Sequence, residues 1–265
     1  MTKLTKEGCE FIEKTLVEAA KYSGNQEPGK KQISASQLGD DDLQLYLKYM
    51  HGGKDSETFE ANTFGSIYHL GAAEAFKDVE DTEVESPLSY MLPNGWLVTG
   101  SMDLILHKFK IIADHKTTTA TTITNVIKDG KNAGYSLQMG AYKLLVAKNY
   151  GHTDYEAVLP VVDKTFSYFK KANKYNQLTF INVETYSLED IEQMLIDKTN
   201  RLQDYIDLGQ EPPECSNVFP YSPGKGQRMK RMRCIHYCDQ AGNCTAYKEY
   251  QKNTYTSNPI EQFGL

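Results

Sequence analysis

GSMDLILHKFKIIADHKTTT, residues 100–119, sets one acid, Asp103, inside an apolar run and a second, Asp114, at the end of the next. The runs are short and rich in Leu and Ile, and HKFK separates them, so they read as strands. With LSYMLPNGWLVT ahead of them, the pattern predicts three strands at roughly 88–92, 95–107 and 109–115, joined as an antiparallel meander. Each acid interrupts a surface that burial would otherwise claim. Neighbouring strands bring the two carboxylates close, where they repel unless a cation joins them. A hard divalent ion such as Mg²⁺ resolves the conflict, because it takes one or two carboxylates and completes its shell with water and phosphate oxygens. Lys116 follows Asp114 by two residues and on a strand shares its face. A lysine there can position a water or offset charge on a phosphate. A solvated strand end with a surface ion pair gives the same tripeptide, so the surrounding segments must carry the argument.

Ahead of the meander, residues 1–24 have the spacing of an amphipathic helix, with Phe11, Ile12, Leu16, Val17 and Ala20 near one face. GNQEPGKKQ reads as a polar linker. SASQLGDDDLQLYLKYM restarts a helix that Ser34 or Ser36 can cap, and TFGSIYHLGAAEAFK forms another. After the meander, YSLQMGAYKLLVAKNYG is helical, YEAVLPVVDK and LTFINVETYS are strands, and SLEDIEQMLIDKTNRLQDYIDLG is a long helix opened by Ser187 and closed by Gly209. The order predicts an α/β (α+β-like) fold with a mixed central sheet flanked by helices. We divide the chain into an N-terminal helical region (1–85), a core (86–210) and a cysteine-rich C-terminal segment (211–265), all within one compact domain.

A net charge of −6 does not advertise general nucleic-acid binding, so any basic groove must be local. No run of about 18 apolar residues suggests a membrane span. The N-terminus lacks a signal-peptide core, so a cytoplasmic location in a bacterial or phage-infected cell is expected. In a reducing compartment the five cysteines point to a metal site before disulfides.

GSMDLIL followed by IIADHKT resembles the core of the PD-(D/E)XK nuclease superfamily. Three further segments resemble its RecB-like exonuclease branch, which includes AddB-type, CRISPR-adaptation and phage members: SASQL near the start, the G-x-x-x-H of GSIYHLGAAE, and the Q-x-x-x-Y of QMGAY. The resemblance implies a restriction-endonuclease-like core. It implies metal ligation by His69, Asp103, Asp114 and the backbone carbonyl of His115, with Mg²⁺ or Mn²⁺ as the ion. It makes Lys116 the catalytic lysine, with Gln138 and Tyr142 orienting it or the DNA backbone from one helix face. Glu74 and Glu85 are further acids that the motifs do not secure. The implied reaction is metal-dependent hydrolysis of phosphodiester bonds at DNA ends, preferring single strands and leaving 5′-phosphates. No Walker A sequence is present, so a helicase, recombinase or single-strand-binding partner would be separate, and homo-oligomers occur in the branch. A structure-specific or restriction-type endonuclease, a non-catalytic DNA-binding or assembly module, and a zinc-finger-like regulator stay open as alternatives.

Cys234, Cys238 and Cys244 give C-x3-C-x5-C, and Cys215 precedes them by 19 residues. Four thiolates at such spacing can hold zinc or an iron–sulfur cluster. The resemblance favours a [4Fe-4S] cluster, with Zn²⁺ as the alternative. Lys225, Arg228, Lys230, Arg231 and Arg233, with tyrosines nearby, form an expected DNA-tracking surface. FKKANKY at 169–175 is a second basic run.

Overall fold

In the computed structural model the described residues are 26–53, 59–130, 134–167, 175–216, 220–221, 230–236 and 238–255. The expected N-terminal helix, Cys9, Lys225, Arg228 and nearly all of the 169–175 run lie outside them. Two compact units separate. The first holds Lys31–Gly39 and Glu60–Asn200, and the second the described parts of Lys21–Lys30, Asp40–Phe59 and Arg201–Leu265.

The first unit is built on a mixed seven-stranded sheet. Its strands are β1 (Gln32–Ser34), β2 (Thr82–Met91), β3 (Leu97–Leu106), β4 (Ile111–Ala113), β5 (Lys116–Thr118), β6 (Glu156–Asp163) and β7 (Leu178–Asn182). β3 is the hub: it pairs antiparallel with β2 along its length, parallel with β1 through Leu97–Thr99 and antiparallel with β4 through Leu104–Leu106. β4 and β5 both run parallel to β6, and β7 closes that side antiparallel. The anticipated meander is present with shifted ends. β2 starts earlier than its polar TEVESP suggests; it pairs with β3 alone, so Pro87 removes no needed ladder donor. The third strand stops at Ala113, and Asp114 and His115 form a break before β5. β1 is too short for a period to show, and the helix Ala120–Asp129 was not anticipated although Ile123, Val126 and Ile127 hold helical spacing, because its β-branched residues resemble a strand's. Thr119 opens that helix by accepting from Thr122 N–H.

Four of the chain's helices, α1 (Asp42–His51), α2 (Phe59–Phe76), α3 (Ala120–Asp129) and α4 (Gly134–Tyr150), precede β6, and α5 (Leu188–Leu208) follows β7. α4 lies on β2, β3, β4 and β6. Its Met139, Leu144 and Leu145 are buried, as are Val98, Met102, Ile105, Ile112 and Leu159 of the sheet. Gly100 permits the approach: a Cβ there would stand 2.8 Å from Leu145 Cδ1 and 2.9 Å from Tyr142 Cε1. The same glycine thus fixes how deeply Tyr142 sits.

The second unit contains α1, the C-terminal part of α5 from Arg201, the short pair β8 (Pro220–Tyr221) and β9 (Lys230–Arg231), α6 (Met232–His236) and α7 (Thr245–Tyr255). Arg233 ties it together. Its guanidinium donates to Asp41 (2.7 Å), Asp40 (3.1 Å) and Gln44 (2.9 Å) at the start of α1. Asp41 also accepts from the N–H and hydroxyl of Ser216.

The expected metal-binding cysteine segment is not found. Cys215, Cys234, Cys238 and Cys244 are all free, and among the described residues no cysteine belongs to a group of ligand atoms close enough to share an ion. This removes both the iron–sulfur cluster and the zinc alternative. Burial raises the Cys234 and Cys238 thiols above their ordinary range. It pushes Cys215 up to about 12, helped by the Asp41 carboxylate. Arg233, one residue before Cys234, ties this segment to the start of α1.

Candidate metal centre

His69 on α2, Glu85 on β2 and Asp103 on β3 form the one group of three or more potential metal-ligating side chains among the described residues; their ligand atoms lie within 4.8 Å of one another. The backbone explains how Glu85 joins. Val84 pairs with Leu104 and Ser86 with Met102, so Glu85 stands opposite Asp103, but that rung is missing from the ladder. Glu85 has φ +48°, the left-handed region that a side chain rarely adopts. The strain, on the order of 1–3 kcal/mol, is the kind that collects at functional sites.

Asp103 is the centre of this arrangement. Its Oδ2 accepts from the backbone N–H of His115 at 2.6 Å and meets His69 Nδ1 at 3.2 Å. Burial opposes its ionisation, but His115 and His69 outweigh that and hold the carboxyl far below the usual range. The contact with Asp103 in turn raises His69 against the pull of burial. Partial burial and then the Asp103 charge push Glu85 up, although much of that residue stands open to water. Two carboxylates and one imidazole suit a hard divalent cation, and the nitrogen ligand favours Mn²⁺ over Mg²⁺.

Asp114 and Lys116 lie beside this group. Lys116 Nζ meets Asp114 Oδ2 at 2.5 Å. Gln138 Nε2 donates to Asp114 Oδ1 at 3.2 Å and to Tyr142 Oη at 2.9 Å. Burial pushes the Asp114 carboxyl up against the pull of Lys116. Asp114 holds the Lys116 ammonium above its ordinary range despite burial. We place the proton of the pair on Lys116, because Gln138 donates to the carboxylate form of Asp114. His115 also brings its ring Nδ1 to 3.5 Å from Asp103 Oδ2. Tyr68 meets it edge-on at 5.4 Å, and both rings line an apolar cavity of about 550 Å³ with Ile67, Phe76, Val158 and Phe180.

The first unit therefore gathers His69, Asp103, Asp114, Lys116, Gln138 and Tyr142. It adds Glu85, which the motifs left unsecured, and Tyr68 and Tyr135, which they did not single out. Tyr135 lies three residues before Gln138 on an anticipated helix, a spacing that could have indicated it. No sequence signal exposes the turned backbone of Glu85. Glu74 instead contacts Lys77 and stays exposed. In the second unit, Arg231 pairs with Glu214 and lies 4.9 Å from the Tyr250 ring centroid. Arg233 is held by Asp40 and Asp41, and Lys230 lies in β9. The two arginines are thus engaged inside the protein.

The PDDEXK-like domain of unknown function (DUF3799) matches residues 66–218. Among solved structures, the chain is similar to SSO0001, with 15% identity and a TM-score of 0.52 over 90% of this chain and 96% of that one. It is also similar to a phage-related exonuclease from Haemophilus somnus 129PT, with 14% identity and a TM-score of 0.44 over 67% and 96% of the two chains. An alkaline exonuclease from Laribacter hongkongensis follows, with 12% identity and a TM-score of 0.41 over 74% and 95%. At such identity the SSO0001 likeness bears on the fold alone, and the two lower scores carry no argument. No curated protein matches. No described helix is long and apolar enough to cross a membrane. The family match spans both acids, the lysine and the Gln138–Tyr142 pair, and on that ground the chain belongs to the PDDEXK-like family DUF3799.

Proposed function

We propose that the chain is a divalent-metal-dependent deoxyribonuclease of the RecB-like kind, an exonuclease that hydrolyses phosphodiester bonds at DNA ends and leaves 5′-phosphates. The observation that carries the hydrolytic reading is the juxtaposition of the His69–Glu85–Asp103 group with the Asp114–Lys116 pair. The order of the His69, Asp103, Asp114–Lys116 and Gln138–Tyr142 segments supports the narrower assignment to DNA ends.

A divalent cation bound there supplies Lewis-acid stabilisation of the phosphate and lowers the pKa of water. His69, Glu85 and Asp103 would hold it, and Asp114 would complete the acidic wall. The Lys116 ammonium donates to a phosphate oxygen as negative charge builds. Gln138 fixes the Asp114 carboxylate through Oδ1, and Tyr142 fixes Gln138. A separate helicase or recombinase would present the end.

The test is digestion of end-labelled linear DNA with Mg²⁺ or Mn²⁺, with chelator and Asp114→Asn controls. We expect both controls to abolish cleavage, the substitution by roughly 100-fold or more, as for loss of a central electrostatic group. Undiminished cleavage by Asp114→Asn would overturn the catalytic assignment. Cutting of circular single-stranded DNA would overturn the restriction to ends.

A further inference from the structure

We infer that Tyr135 is a positioning residue for Lys116, acting through the face of its ring. The inference rests on the nuclease reading above. Lysine reaches its phosphate on four rotatable bonds, so a productive ammonium must be held. Asp114 holds it at 2.5 Å. That carboxylate is also needed at the metal centre, and when its charge is shared with a cation the ion pair weakens. A second anchor is present. Lys116 Nζ stands 5.5 Å from the centroid of the Tyr135 ring, within cation–π range.

The anchor is part of an aligned set. Tyr135, Gln138 and Tyr142 lie at i, i+3 and i+7 on α4, one stripe of the helix. Tyr142 receives from Gln138, Gln138 donates to Asp114, and Asp114 pairs with Lys116. Tyr135 returns from Lys116 to the same helix and closes the loop. The acid and the base of the D-x-K segment are thereby both referenced to α4. A ring face is uncharged, so it holds the ammonium without competing for the cation, and it leaves the N–H donors not taken by Asp114 available to a phosphate.

The test uses the full chain, Tyr135→Leu and Tyr135→Phe, with melting temperatures confirming folded protein. Removing the ring should lower kcat about tenfold, the size of a partly desolvated cation–π contact, and leave KM within about twofold. Tyr135→Phe keeps the face and should retain wild-type kcat. In a Lys116→Ala background, Tyr135→Leu should cost nothing further. A second readout needs no activity. With ¹³Cε-lysine labelling, the Lys116 resonance, identified by its loss in Lys116→Ala, should be shifted upfield by the ring in wild type and Tyr135→Phe and return towards the exposed lysines in Tyr135→Leu. An unshifted Lys116 resonance, or equal losses in Tyr135→Phe and Tyr135→Leu, would overturn the inference. Wild-type protein inactive on every DNA would sink the nuclease reading instead, and the resonance would still decide where Lys116 is held.

Discussion

Glu85 is strained because it is turned. A left-handed glutamate in the middle of an edge strand costs stability, and its carboxylate reaches His69 and Asp103 by that turn. Stability and ion binding should therefore separate at this residue. Glu85→Gly adopts the same backbone freely and removes a like charge beside Asp103. Its melting temperature without metal should equal or exceed wild type, while Mn²⁺ affinity falls by roughly tenfold or more, the size of one lost charged ligand contact. Calorimetry and Mn²⁺ titration check both halves. A variant that melts lower and binds Mn²⁺ as before would show that the turn serves packing alone.

β2, β3, α4 and β6 are joined at their far ends by a polar knot around Glu83. Tyr150 donates to both its oxygens at 2.8 and 2.7 Å, Ser86 donates to Oε2, and His107 bridges Oε1 (2.9 Å) to the Tyr155 hydroxyl (2.6 Å). Burial raises the Glu83 carboxyl, but Ser86, Tyr150 and His107 together outweigh it and the net shift is downward. A carboxyl depressed on folding contributes stability above its unfolded pKa, about 4.3 for glutamate. That contribution is lost as the pH falls through the lower folded value. Glu83→Gln should accordingly be less stable than wild type at pH 6, with the two denaturation curves converging as the pH falls below about 4.3. A gap that stays constant with pH would assign the knot to shape instead of charge.

Over the molecule, legibility followed how local the signal was. Strand and helix identities along 134–208 were written in period and caps, as Ser187 illustrates by accepting from Asp190 N–H at 3.1 Å. The Asp103, Asp114–Lys116 and Gln138–Tyr142 constellation was legible from short fixed offsets in the chain, although Asp114 stands in the break before β5 and not on a strand with Lys116. Three-residue strands are too short to show a period, and the β-branched residues of the threonine-rich helix masked the helical spacing of Ile123, Val126 and Ile127. The cysteines misled because spacing names candidate ligands but not whether the fold gathers their sulfurs around one ion. β3 has a further consequence, a kinetic one. Asp103 lies on a strand that pairs with β2 and β4 through local hairpins and with β1 across about 65 residues of chain. The cation site is complete only when α2 brings His69 to that strand, a contact distant in sequence, so it is assembled late on the folding route. Trp96, the chain's single tryptophan, is buried at the entrance to β3 and reports on that assembly. Mn²⁺ should leave the refolding rate seen by its fluorescence unchanged and slow unfolding in proportion to occupancy. If Mn²⁺ accelerated refolding instead, the centre would already exist in the transition state. A late-forming centre makes the bound ion a brake on unfolding, with no part as a seed for folding.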